Sequence, residues 1–225
     1  LSWTLHNNIS GSGLPAPLYS YKISTSSSGK VFLLTEGQGV YESADNGTTW
    51  TIDPKFTFGY FYAIKSSTDG SVFISDGNYL YRTTDNGTTW DQLTNYALRI
   101  IDNIDISPSN DLYAFSGYEG LFKSITPVNK GYLSDFTGID DYVAFVPFKN
   151  SSVSWGDYDN DGDLDFVVAG KDTSQSQSVK IFWNYNNSRF WIDYGTTIPG
   201  LDSAKVRWMD FNNDGYLDLV FSMYN

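Results

Sequence analysis

A twelve-residue segment of this chain occurs twice. Gly39-Val-Tyr-Glu-Ser-Ala-Asp45-Asn-Gly47-Thr-Thr-Trp50 returns forty residues later as Tyr79-Leu-Tyr-Arg-Thr-Thr-Asp85-Asn-Gly87-Thr-Thr-Trp90. A third copy begins at Gly120-Leu-Phe-Lys-Ser124 but reads Ile125-Thr-Pro-Val-Asn-Lys-Gly131 where the others carry Asp-Asn-Gly-Thr-Thr-Trp. Short apolar runs keep the same period: Lys30–Leu34, Ser71–Ile74 and Asp111–Phe115. Before each comes a Ser/Gly/Asn-rich turn, and before that another short run, at Tyr21–Ile23, Tyr62–Ile64 and Ile104–Ile106. Each repeat therefore predicts four short strands, the last beginning at the Trp. Four strands in about 40 residues is the arithmetic of a propeller blade.

A second repeat lies near the C-terminus. Asp157-Tyr-Asp159-Asn-Asp161-Gly162-Asp163-Leu-Asp165 matches Asp210-Phe-Asn212-Asn-Asp214-Gly215-Tyr216-Leu-Asp218 in spacing. Both place side-chain oxygens at positions 1, 3, 5 and 9, with Gly at 6. Five aspartates in nine residues repel one another unless a cation sits between them. Calcium takes six to eight oxygens at about 2.3–2.6 Å, and Gly permits the sharp turn that points alternate side chains at one centre. The expected ligands are Asp157, Asp159, Asp161 and Asp165 with the Asp163 carbonyl, then Asp210, Asn212, Asp214 and Asp218 with the Tyr216 carbonyl. The alternative is an Asp/Asn-rich hairpin without metal. An EF-hand is excluded, because position 12 is Val168 or Phe221 rather than Glu. Apolar runs flank each loop, so each joins two strands.

These segments resemble two families. The Ser/Thr-x-Asp-x-Gly-x-Thr-Trp pattern, at Ser43, Asp45, Gly47, Thr49, Trp50 and at Thr83, Asp85, Gly87, Thr89, Trp90, resembles the Asp box (BNR repeat). That resemblance implies a structural hairpin between the third and fourth strands of a blade, away from any active site. The strand–acidic loop–strand units resemble FG-GAP (VCBS) repeats of integrin-α-type propellers, over roughly residues 140–225. That resemblance implies an ion that stiffens a blade and does no chemistry. The fold expectation is all-β: a propeller of about five blades, or an arc of a larger one. Residues 1–137 form the Asp-box blades and 138–225 the calcium-binding blades. Trp3–His6 resembles a fourth strand and is expected to help complete the last blade.

Composition narrows the function. No run of apolar residues is long enough to span a bilayer as a helix. A net charge of −12 opposes binding to nucleic-acid phosphate or to anionic membrane. Without cysteine there is no disulfide or thiol chemistry. The chain starts without Met, as a trimmed or mature segment of a longer protein would. Asp boxes occur in sialidases, which bind a carboxylate with three arginines. This chain has four arginines, Arg82, Arg99, Arg189 and Arg207, in no such arrangement. The loop acids Asp140, Asp141, Asp193 and Asp202 read as solvated, as does His6. The Asn-x-Ser/Thr sequons read as turn chemistry.

The reading that results is an extracellular, calcium-stabilised binding, adhesion or assembly module, non-catalytic, with two calcium ions. Its partner is a glycan, a protein or a further copy of itself. The style of the repeats points to a secreted or cell-surface bacterial protein. The competing class is a polysaccharide-active propeller enzyme, a glycosidase or lyase.

Overall fold

The structure is a computed structural model and describes residues 11–93, 101–107, 110–116, 120–124, 136–138, 148–171, 177–185, 189–192 and 205–222. The expected strand Trp3–His6, the side chains of His6 and Arg99, and Asp140, Asp141, Asp193 and Asp202 lie outside these residues. Every described regular element is a β-strand.

Contacts divide the chain into two compact units, Leu1–Ile101 and Asp102–Asn225. In the first, β1 (Ser20–Thr25), β2 (Val31–Gly37), β3 (Val40–Ser43) and β4 (Thr51–Ile52) form one antiparallel meander. A short strand, β5 (Gly59–Tyr60), pairs with the end of β2. The next meander repeats the plan with β6 (Ala63–Ser66), β7 (Val72–Ser75), β8 (Leu80–Thr83) and β9 (Asp91–Gln92). The strands fall where the apolar runs predicted them. The fourth strands are the exception: each is two residues long and begins after its Trp. In the first, the Trp50 N–H leaves the ladder and donates to the Ser12 carbonyl at 2.7 Å.

In the second unit the first sheet has the order β10 (Ile101–Ile106), β11 (Leu112–Ser116), β12 (Gly120–Ser124), β13 (Phe136–Gly138). The second is an antiparallel meander of β14 (Lys149–Gly156), β15 (Asp165–Lys171), β16 (Gln177–Tyr185) and β17 (Arg189–Ile192). The last is a hairpin, β18 (Lys205–Met209) with β19 (Asp218–Ser222).

The central strands show why these sheets stack. All four residues of β7 are buried, as are Asp165–Gly170 of β15. A sheet with one wet face buries only alternate residues; continuous burial means packing on both faces. Phe32, Val72 and Trp90 belong to the core of the first unit, and Phe166 and Phe182 stack at 4.6 Å in the second. Hydroxyls join neighbouring inner strands. Ser24 and Ser66 bond at 2.8 Å between β1 and β6, and Ser152 and Ser154 of β14 accept the Val206 and Trp208 N–H groups of β18. That serine ladder leaves no pattern in the sequence that would announce it.

Candidate metal centre

The two acidic loops connect β14 to β15 and β18 to β19. They fold alike, bond for bond. The carboxylate at position 1, Asp157 or Asp210, accepts the N–H of position 5 at 3.0 Å in each loop. It also accepts the Gly N–H of position 6, at 3.0 and 2.9 Å. Position 3, Asp159 or Asn212, accepts the position-5 N–H as well. Position 5, Asp161 or Asp214, accepts the N–H of position 7. Position 9, Asp165 or Asp218, reaches back to the N–H of position 2 at 2.9 and 3.0 Å. Gly162 and Gly215 take φ of 95° and 88°, as the turn requires. Asn160 and Asn213, at position 4, also turn left-handed at 60° and 62°. Asn tolerates that region through local side-chain hydrogen bonding, a role the sequence reading did not assign to it.

The first loop gathers carboxylates. Oxygens of Asp157, Asp159 and Asp165 lie within 4.8 Å of one another. Two ligands on opposite sides of a calcium ion stand about 5 Å apart, so the donor set fits a hard cation of that size. Asp161 stays outside the trio, with its Oδ1 on the Asp163 N–H. Asp165 is wholly buried and accepts the Asn184 N–H of β16 at 2.7 Å. Burial pushes its carboxyl up to about 7, against those backbone N–H bonds and with help from the charges of Asp159 and Asp161. Burial, then the Asp161 charge, raises Asp159 too. Among the described residues no lysine or arginine pairs with Asp157, Asp159, Asp161 or Asp165.

The second loop is looser. Asn212 replaces an acid at position 3, and its Nδ2 donates to Asp214 at 2.9 Å. No three of its carboxylates converge as in the first. Tyr216, at position 7, is exposed.

The two Asp-Asn-Gly-Thr-Thr-Trp segments are closed hairpin turns. Asp45 accepts the Thr49 N–H at 2.8 Å and the Thr49 hydroxyl at 2.7 Å, and Asp85 does the same with Thr89. The Ser43 and Thr83 hydroxyls donate to these carboxylates and accept the Gly47 and Gly87 N–H groups. Asn46-Gly47 and Asn86-Gly87 supply the two positive φ angles of the turn. The Thr hydroxyl bond, then the Thr backbone bond, holds both carboxyls down at about 2. Three hydrogen bonds thus tie each carboxylate into its own turn. The two Trp side chains differ: Trp50 donates to its own Gly47 carbonyl, whereas Trp90 reaches the Asp53 carboxylate.

Residues 157–221 match the family model of the FG-GAP-like repeat, a span that encloses both acidic loops. Comparison with curated proteins gave no match. Among solved structures, an ancestral GH74 enzyme is similar at TM-score 0.64 and 14% identity, over 92% of this chain and 29% of that one. YCF48 bound to D1 peptide is similar at TM-score 0.64 and 15% identity, over 93% of this chain and 65% of that one. YCF48 from Cyanidioschyzon merolae gives TM-score 0.60 at 13% identity, over 93% and 73%. The chain thus spans less than two thirds of the first two. At such identities the likeness shows the fold, which is that of a β-propeller. Enzymes and non-enzymes share it.

Proposed function

We propose that this chain is an extracellular, calcium-stabilised β-propeller module that binds or assembles without catalysing a reaction. The observation that carries the reading is the convergence of Asp157, Asp159 and Asp165, unneutralised by any described cation, in a loop repeated at Asp210–Asp218. When bound, calcium would supply the positive charge that these carboxylates lack. Asp157, Asp159, Asp161 and Asp165 with the Asp163 carbonyl would hold the first ion. Asp210, Asn212, Asp214 and Asp218 with the Tyr216 carbonyl would hold the second. The Asp-box segments serve as turns, since three hydrogen bonds tie each acid into its own turn. Neither nucleic acid nor an anionic bilayer suits a chain of net charge −12, and no described helix is long and apolar enough to cross a membrane. A glycan or a protein on a loop face suits it better, at a bacterial cell surface or in the medium.

Metal analysis of dialysed protein tests the reading. Two calcium ions per chain are expected, and protein free of metal at millimolar calcium would overturn it.

The likeness to a GH74 enzyme favours a second reading, a polysaccharide-active propeller. Glycoside hydrolysis needs two carboxyls at a set separation, one of them raised. Asp165 is raised, yet both its oxygens are engaged by backbone N–H groups within a loop that suits a cation. Release of reducing sugar from a panel of polysaccharides, lost in an Asp165→Asn variant, would establish this reading instead.

A further inference from the structure

The three carboxylates that converge in the first loop all meet at Tyr158. Asp157 and Asp159 are its neighbours in the chain, and Asp165 accepts its N–H at 2.9 Å. The Tyr158 ring stacks on Trp208 of β18, with centroids 5.6 Å apart and 13° between the planes. Both rings pack against the buried cluster of Val167, Val179, Ile181 and Val206. Gly156, at the entrance to the loop, lies on the same indole: a Cβ there would meet Trp208 Cδ1 at 3.1 Å and Cβ at 3.2 Å. The backbone of β18 is tied to β14 as well, through Val206 N–H on Ser152 and Trp208 N–H on Ser154. All these residues belong to one compact unit. The packing of β18 on the preceding blade therefore runs through a residue that the acidic trio brackets. Ionised together, Asp157, Asp159 and Asp165 repel one another and pull the loop apart around Tyr158; a cation between them draws it closed.

We propose that Tyr158 couples the first cation site to the docking of the next blade: filling the loop fixes the ring on Trp208, and the docked blade in turn tightens the loop on its ion. Coupling of this kind is reciprocal. Tyr158 is a positioning residue in this scheme. Its backbone N–H orients the Asp165 carboxylate, and its ring carries the loop's geometry to β18. The inference rests on the cation reading above. Calcium content measured on the same samples tells the failure of one from the failure of the other.

The amides of Val206 and Trp208 report the docking, because both bond across the blade interface. The test follows their hydrogen exchange in the full chain, in calcium and in EDTA. Calcium should slow both amides of wild type by about fivefold or more. Tyr158→Phe keeps the ring and the backbone N–H, and should keep that response. Tyr158→Ala keeps the N–H on Asp165 but loses the stack. It should still bind calcium, more weakly in the first loop than Tyr158→Phe does, and its response at Val206 and Trp208 should shrink. The second loop is the same in all three proteins, so the Phe and Ala variants differ only by the ring. Trp208→Leu breaks the stack from the other side and should likewise blunt the response at Val206. Equal calcium responses in Tyr158→Phe and Tyr158→Ala would overturn the coupling, as would a calcium-loaded wild type with no slowing at either amide. Protein that takes up no calcium would remove both the coupling and the reading beneath it.

Discussion

The indole N–H of Trp90 donates to the Asp53 carboxylate at 2.7 Å, joining the end of one blade to the turn of the next. Asp53 is 1% exposed and accepts the Lys55 N–H on its other oxygen, while Lys55 returns a bond to the Trp90 carbonyl. The Trp90 ring packs edge-on against Phe32 and Phe56. The indole N–H of Trp50, at the same place in the previous repeat, donates to the Gly47 carbonyl of its own turn.

This asymmetry is testable. Trp90→Phe leaves a buried carboxylate one donor short and should cost about 1–3 kcal/mol. Trp50→Phe frees one partly exposed carbonyl to water and should cost under about 1 kcal/mol. Denaturant melts of the two variants compare them directly. Equal losses would mean that the inter-blade bond adds nothing.

That pair also marks how far the sequence can be read. The strands and both kinds of loop were legible because their signals are local: apolar runs, Asn-Gly turns and alternating acids. The partner of Trp90 was not, since Asp53 lies 37 residues away and resembles any turn aspartate. Nor was the Asn184 N–H on Asp165, because a backbone amide leaves no mark on the sequence. The loops look equivalent as strings, yet one gathers three carboxylates and the other does not. The brevity of β4 and β9 was equally hidden, because the Trp50 N–H and the Trp90 carbonyl bond outside the ladder.

Gly47 and Gly87 adopt the same turn, at φ of 86° and 88°, but in different surroundings. A Cβ at Gly47 would meet only the Trp50 ring, at 3.5 Å. At Gly87 it would fall on Glu42 Oε1, with the Phe32 ring at 3.1 Å. Glu42 is itself tied to Lys30 by an ion pair. Gly47→Ala should therefore cost only the left-handed penalty, about 1–2 kcal/mol. Gly87→Ala should cost that and a further loss of similar size from displacing Glu42 and Phe32. Thermal melts that rank the two variants the other way would refute the packing around Gly87.

The Asp45 and Asp85 carboxyls have folded pKa values of about 2, below the ordinary 3.8. A depressed carboxyl stabilises the fold above its unfolded value, and that contribution fades as pH falls through the folded one. The window is therefore about pH 4 down to about 2. Both groups are exposed, so the contribution is small and its pH dependence is the useful signal. Wild type should melt higher than Asp45→Asn at pH 5, and the gap should close by about pH 2. A gap that stays constant with pH would show that the carboxylate charge plays no part in closing the turn.

Asp165 runs the other way. Its folded pKa, about 7, lies above the ordinary 3.8. Without metal, its contribution is fully present below the unfolded value and is lost as pH rises through about 7. A calcium ion would take the place of the proton, since a ligating carboxylate must be ionised. The stabilisation by calcium over EDTA should thus widen between pH 6 and 8. At a free concentration a hundred times the Kd it amounts to about 2.7 kcal/mol per site. Asp165→Asn removes the buried charge and keeps one acceptor oxygen, so either the Tyr158 or the Asn184 N–H loses its partner. In EDTA that variant should lack the wild type's fall in melting temperature as pH rises through about 7, and in calcium it should melt below wild type. Asp210→Asn, in the looser loop with fewer acids, should lose less of the calcium response, because fewer anionic ligands mean weaker binding to begin with. A calcium-minus-EDTA gap that is flat from pH 6 to 8 would remove Asp165 from the ion's shell. A gap of zero at every pH would remove the ion altogether.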